Sequence, residues 1–281
     1  MRLTAHAKIN WALNVLGRRP DGYHELDMLV QRIGLADTLE LLPADSLEFE
    51  LVNGGDIPKD DSNLVMRAAM ALRAACGVRH GARIRLFKRI PSQAGLGGGS
   101  ADAAAALEGL NQLWACGLSA AQLAEIGLKL GADVPLCLVP GLMRARGIGE
   151  CVTKIPGGRE LDLVILQPGT GLQTEEVFRR HADYPPEKAA DIAAGISALT
   201  DSSAMNFMPL VNQLQPAAEA LLPDIARAIA ALKNAGAVFA QMSGSGSAVF
   251  GVFPAAASAA RAKQALSANW PVCIQTKTLA S

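Results

Sequence analysis

The sequence has no excess of charge of either sign: Lys and Arg number 26, Asp and Glu number 26, and the formal net charge is zero. A chain that binds nucleic acid carries a basic excess or a clustered basic stripe, and neither is present. An anionic ligand must therefore be held by a local site and not by the field of the whole protein. Cysteine is sparse. Cys76, Cys116, Cys137, Cys151 and Cys273 include no C-x-x-C pair, which argues against a zinc knuckle or a dithiol redox motif. No apolar run approaches the roughly 18 residues of a membrane span. The opening Met1-Arg2-Leu3-Thr4-Ala5-His6-Ala7-Lys8 lacks the apolar stretch of a secretory signal. Reduced thiols and no address signal lead us to expect a cytoplasmic protein. No Gly-Lys dipeptide occurs anywhere, so a Walker phosphate loop is excluded.

What is present is ample material for a core. Half of the 281 residues are hydrophobic and 19% are charged, ordinary globular values in a chain long enough for two lobes. Residues 5–15 alternate: Ala5, Ala7, Ile9, Trp11, Leu13 and Val15 form one face, with His6, Lys8, Asn10, Ala12 and Asn14 on the other. That period predicts a half-buried strand. Gly17-Arg18-Arg19-Pro20-Asp21-Gly22 reads as a turn, and further strands are expected at residues 28–30, 38–42 and 47–51. Asp61-Ser62-Asn63 can cap a helix over residues 64–75. A strand over 82–87 leads into a glycine-rich loop and an alanine-rich helix, and residues 120–130 are helical. After about residue 149 the pattern restarts. A strand at 161–166, helices within 174–234, strands at 238–241 and 247–253, a helix at 255–266 and a last strand at 272–277 follow. The division expected is 1–150 and 151–281.

The loop is the most specific feature. Pro91-Ser92-Gln93-Ala94-Gly95-Leu96-Gly97-Gly98-Gly99-Ser100-Ala101-Asp102 holds four glycines within residues 95–99. Missing β-carbons let backbone N–H groups approach an anion, and a helix beginning beside Ser100 adds free donors and a partial positive charge. That concavity suits a di- or triphosphate. The plainer reading is a turn with Ser100 as an N-cap. A dinucleotide G-x-G-x-x-G fingerprint fails because its last position falls on Ser100 and the early strands connect through turns. Other residues stay open on their own terms. Lys8 could hold a hydroxyl or face solvent on an edge strand, with Asn10 on the same face about 7 Å away. Asp133, after Gly131-Ala132 and before Val134-Pro135, is a good N-cap. Tyr23-His24 could stack on a base and bond its edge or simply bury one ring. Arg144, Arg146, Lys88 and Arg89 could help with phosphates, with solvated surface charge the plainer reading.

Four segments together resemble the GHMP kinases, the group that includes galactose, homoserine, mevalonate and phosphomevalonate kinases. They are Ala7-Lys8-Ile9-Asn10-Trp11, the loop, Gly131-Ala132-Asp133-Val134-Pro135, and Ser243-Gly244-Ser245-Gly246-Ser247, in the family's order and across nearly the whole chain. The resemblance implies an α+β, two-lobed fold with a ribosomal-S5-like N-terminal lobe, a ferredoxin-like C-terminal lobe and a cleft between them. It implies ATP bound by residues Pro91, Ser92, Gln93, Ala94, Gly95, Leu96, Gly97, Gly98, Gly99, Ser100 and Ala101. It also implies Mg2+ with the nucleotide (Ser100 a candidate ligand), Asp133 as catalytic base and Lys8 as its polarising partner. Lys8-Ile9-Asn10 followed by Arg19-Pro20-Asp21-Gly22-Tyr23-His24, with residues 157–168 and Gly169-Thr170-Gly171-Leu172-Gln173-Thr174, narrows the resemblance. It points to the branch acting on a cytidine-diphosphate-linked polyol in the isoprenoid route that bypasses mevalonate. There Tyr23 and Phe178 would sandwich cytosine, His24 would bond its edge, and Asn10 and Thr174 would face the substrate. A small-molecule substrate, no nucleic acid, no membrane and a monomer or weak homodimer are expected. Two positions depart from that pattern: Met205-Asn206-Phe207-Met208-Pro209 lacks an Asn-Asp pair, and Gln93 stands where a small residue is usual. The alternatives are another GHMP kinase, on mevalonate, phosphomevalonate or homoserine, and a non-catalytic nucleotide sensor. Tyr23-His24 argues against the first, and Lys8 with Asp133 against the second.

Overall fold

Two long strands open the chain, β1 (Arg2–Arg18) and β2 (His24–Ala44), in a computed structural model that describes residues 1–54, 57–169, 171–201 and 206–280. There follow β3 (Leu47–Asn53), α1 (Leu64–Cys76), β4 (Gly81–Phe87), α2 (Gly98–Leu113), α3 (Ala120–Leu130) and α4 (Val134–Cys137). Next come β5 (Leu142–Gly147), β6 (Cys151–Ile155), β7 (Asp162–Gln167), α5 (Thr174–His181), α6 (Ile192–Thr200) and α7 (Gln215–Leu221). The chain ends with α8 (Asp224–Asn234), β8 (Phe239–Met242), β9 (Val249–Phe253), α9 (Ala256–Leu266) and β10 (Val272–Lys277). Two compact units result. One holds Met1–Ala7, Leu35–Ser92 and Gly97–Val139; the other holds Lys8–Gly34, Gln93–Leu96 and Pro140–Ser281.

In the first unit the end of β2 pairs antiparallel with β4, from Thr38 opposite Phe87 to Ala44 opposite Gly81, and β3 lies parallel to β4. Helix α1 starts where Asn63 accepts the Val65 N–H at 2.9 Å and stops at Gly77, left-handed at φ +64°, a position that favours glycine. Helix α2 buries Ala103, Ala104, Ala106, Leu107 and Leu110. Its small residues bring the backbone close: a β-carbon on Gly109 would strike Leu3 and Leu41.

In the second unit β7, β8, β9 and β10 form an antiparallel sheet in the order β10-β7-β9-β8. Helices follow the first strand and separate the third from the fourth, which is the ferredoxin-like arrangement. The start of β2 pairs with β5, and β5 with β6. Trp11 anchors the core here, stacked on Phe207 at 5.9 Å and edge-on to Phe250 at 5.2 Å. Its indole N–H donates to Gln31 Oε1 at 2.8 Å, and Gln31 Nε2 donates to the Arg159 and Leu279 carbonyls. Trp11→Phe is expected to cost about 1–3 kcal/mol, because it leaves Gln31 Oε1 buried without a donor. Urea unfolding would measure the loss.

The half-buried expectation for β1 is corrected. Residues 7–14 are buried on both faces. The polar face is covered because Lys8, Asn10 and Asn14 find partners far along the chain: Gly95, Ser243 and Ala190. The strands expected at 28–30 and 38–42 are parts of the single strand β2. Among the described residues no helix is long and apolar enough to cross a membrane.

Candidate active site

Alternation along β1 puts Lys8 and Asn10 on one face, and both are almost wholly enclosed, at 5% and 2% exposure. Lys8 Nζ donates to Asn10 Oδ1 at 2.7 Å and to the Gly95 carbonyl at 3.0 Å. The Lys8 amide donates to the Leu96 carbonyl at 3.0 Å. Ser243 locks this meeting from the other side: its hydroxyl donates to the Gly95 carbonyl at 3.0 Å and accepts the Asn10 amide at 3.2 Å. The Ala248 amide donates to the Ala94 carbonyl. Three segments far apart in sequence therefore converge on one ammonium group.

Glycine is required at two points of this knot. Gly95 is left-handed at φ +72°, and a β-carbon there would run into the Ser243 carbonyl oxygen. Gly244, at φ +56°, would place a β-carbon 3.3 Å from Lys8 Nζ and 3.2 Å from Asn10 Oδ1. Asn212, missed in the sequence, holds this loop in place. Its Nδ2 donates to the Met242 and Gly244 carbonyls at 3.0 and 2.8 Å, and its Oδ1 accepts the Leu214 amide. The signal was there in Asn212-Gln213-Leu214-Gln215, three amide side chains in four residues just where an apolar helix begins. Gln213 and Gln215 likewise accept the Val15 and Met242 amides.

Thr174 opens α5 and meets Ser245 Oγ at 2.9 Å. One turn on, Phe178 shares the Thr174 side of the helix and stacks on His24, ring centres 4.8 Å apart and planes within 20°. Burial, with the charges of Arg18 and His181, pushes the His24 imidazolium below its usual range, so the ring is neutral at neutral pH. Tyr23 beside it is 58% exposed. Gln93 sits in the left-handed region at φ +51° and packs on Gly171, where a β-carbon would strike it. Thr170 and Met205 lie outside the described residues.

The first unit carries the other site residues. The N-cap of α2 is Gly97, left-handed at φ +70° and with no side chain to cap with, so the reading of Ser100 as N-cap is corrected: Ser100 is the third helical residue. The amides of Gly98, Gly99 and Ser100 precede the first intrahelical bond, which runs from the Ala101 amide to the Gly97 carbonyl. Pro91 and Ser92 enter the loop from this unit. Asp133 precedes α4 at φ −84°, ψ −7°, and its carboxylate does not cap that helix; the capping role read from the sequence is absent. In the second unit Arg144 is half-exposed but paired. It grips Asp27 with two bonds, Nε to Oδ1 at 2.8 Å and an Nη to Oδ2 at 2.7 Å.

The GHMP kinases N terminal domain model matches residues 63–141, and the GHMP kinases C terminal model matches residues 192–272. The chain belongs to the GHMP kinases. This GHMP kinase is 47% identical, over 88% of its length and 87% of the relative's, to the 4-diphosphocytidyl-2-C-methyl-D-erythritol kinase of Pelotomaculum thermopropionicum. It is 42% identical to the enzyme of the same name from Mesorhizobium japonicum, over 95% of this chain and 91% of the relative. A crystal structure of 4-(cytidine 5'-diphospho)-2C-methyl-D-erythritol kinase superposes with a TM-score of 0.87, at 36% identity and full coverage of both chains. The N-terminal match takes in the glycine loop and Asp133, and the C-terminal match takes in Asn212 and residues 243–247. Lys8, Tyr23 and His24 of this GHMP kinase lie outside both matched regions.

Proposed function

We infer that this GHMP kinase transfers the γ-phosphoryl group of ATP to the 2-hydroxyl of 4-diphosphocytidyl-2-C-methyl-D-erythritol, a step toward isoprenoid precursors without mevalonate. The observation that carries the reading is the knot of Lys8, Asn10, Gly95 and Ser243, built in a chain alike over most of its length to enzymes of that name. In the proposed division of labour, residues 1–150 supply the ATP loop and the reacting pair, and residues 151–281 supply the rest of the substrate site. Residues Pro91 to Ala101 hold the nucleotide, with the α2 amides on its phosphates. Asp133 takes the proton of the 2-hydroxyl as its oxygen bonds to the γ-phosphorus. The bond from that phosphorus to the bridging oxygen breaks, and ADP leaves with the electron pair. Lys8 steadies the negative charge that develops. Asn10 and Thr174 orient the polyol. Tyr23 offers an exposed ring face to cytosine, His24 a neutral ring nitrogen to its edge, and Phe178 backs the same base.

Magnesium bound to the nucleotide would neutralise phosphate charge. Among the described residues no three His, Cys, Asp or Glu side chains cluster as a resident metal site. A metal held chiefly by phosphate oxygens and water fits that donor set, with the Ser100 hydroxyl as the protein's contribution. A cytoplasmic monomer or weak homodimer completes the proposal.

The test is transfer of label from γ-labelled ATP to the cytidylyl substrate, mevalonate and homoserine in parallel. Label on the cytidylyl substrate alone is expected. Label on mevalonate or homoserine instead would overturn the substrate and keep the kinase.

A further inference from the structure

Lys88, read from sequence as a surface charge, is buried, with its side chain 6% exposed. Its ammonium contacts Asp37 Oδ2 and lies 2.7 Å from Asp102 Oδ2, and those carboxylates are 0% and 3% exposed. Asp37 Oδ1 accepts two consecutive amides, those of Arg89 and Ile90, the second at 2.8 Å. The Lys88 amide is itself held by Asn53 Oδ1 at 2.8 Å. All of these groups belong to the first unit.

The location gives the cluster its meaning. Residues 88–90 enter the glycine loop, and Asp102 lies in the second turn of the helix that leaves it. The first helical residue sits directly on this seam: a β-carbon at Gly98 would lie 2.9 Å from Ile90 Cγ2 and 3.5 Å from Lys88 Nζ. Both flanks of the loop are thus tied to one another below its ends. Stability alone is a weak reason for such a device, since a buried ion cluster is commonly matched or bettered by apolar side chains of similar volume. What it supplies is direction: one ammonium interlocked with two carboxyl groups, Asp102 pushed up to about 8 by burial and by Asp37, allows one register between strand and helix. Small errors in that register matter, because donors must meet phosphate oxygens within a few tenths of an ångström.

We propose that Lys88, Asp37 and Asp102 form a positioning brace that sets the first turn of α2 for the nucleotide's phosphates. It rests on the ATP-loop reading above. The brace touches no substrate, so its loss weakens nucleotide binding and spares the chemical step. The ammonium of Lys88 is committed to carboxylates and is not a phosphate ligand.

The test compares the full chain with Asp102→Ala, Asp102→Asn and Lys88→Gln. ADP binding is read by calorimetry, steady-state constants by phosphate transfer, and folding by circular dichroism. Asp102→Ala is expected to raise the Kd for ADP and the KM for ATP at least 10-fold. The KM for the phosphoryl acceptor stays within twofold and kcat at saturating ATP within threefold. Asp102→Asn, which keeps an oxygen for Lys88, stays within threefold of the parent, and Lys88→Gln follows Asp102→Ala. A folded Asp102→Ala that binds ADP like the parent overturns the brace and leaves the loop assignment standing. Loss of both KM values and kcat together, in step with the folded fraction, overturns it in favour of a purely structural role, as does failure of both Asp102→Ala and Lys88→Gln to fold. A parent protein that binds no ADP removes the loop assignment and the brace with it.

Discussion

Replacing Asp133 by alanine is expected to cut turnover by about 10²–10⁴-fold while ADP still binds. That range corresponds to about 2.7–5.4 kcal/mol of barrier at 1.36 kcal/mol per decade. Asp133 does not cap α4; the turn is closed by backbone, with the Val134 amide on the Gly131 carbonyl and the Cys137 amide on Asp133's own carbonyl. Val134, Pro135 and Leu136 are buried and hold the segment by packing. The thermal midpoint is measured beside turnover, and a folded Asp133→Ala that binds ADP and does not turn over is the expected result. Asp133→Asn sharpens the test, since the amide keeps the shape and cannot accept the proton. If it turns over at near the parental rate, Asp133 orients the hydroxyl at most and the base lies elsewhere.

Local pattern made much of the fold legible. Alternation marked β1, and Asn63 with Gly77 brackets α1 close to where composition placed it. The four motifs, read in order, named the family that the comparisons show. What stayed hidden are relationships across long stretches of chain. Periodicity made Lys8 a residue on an open face; its enclosure depends on Gly95, 87 residues away, and on Ser243 against Asn10, 233 residues away. Lys88 looked solvated because its carboxylates lie 51 residues before it and 14 after it. Asn212 escaped for a related reason: the carbonyl it fixes, that of Gly244, lies 32 residues further along the chain. Nor does any local signal show that β1 and β2 contribute residues to both compact units. A motif reports which residue types are needed. Burial reports which of their neighbours complete them.

Lys8→Met separates those two contributions. Methionine nearly matches the lysine stem in length and removes only the ammonium, so packing around Ile9 and Trp11 is kept. The Gly95 carbonyl keeps the Ser243 hydroxyl as a donor, and Asn10 Oδ1 loses the Lys8 donor. Against that loss stands relief from desolvating a charge in a site 5% exposed. Stability is therefore expected to change by about 1 kcal/mol or less. Turnover is expected to fall by about 10²–10³-fold, the scale for removing one preorganised charge stabiliser from a transition state. Lys8→Arg should not rescue it. A planar guanidinium needs width, and the Lys8 ammonium already lies 2.7 Å from Asn10 Oδ1 and 3.3 Å from where a β-carbon on Gly244 would stand. The decisive pairing is urea unfolding beside kcat at saturating substrates. An inactive Lys8→Met as stable as its parent assigns the buried ammonium to the reaction. Activity and stability falling together would make Lys8 a bolt between β1 and the glycine loop, and the charge that meets the phosphoryl group would then have to come from another residue.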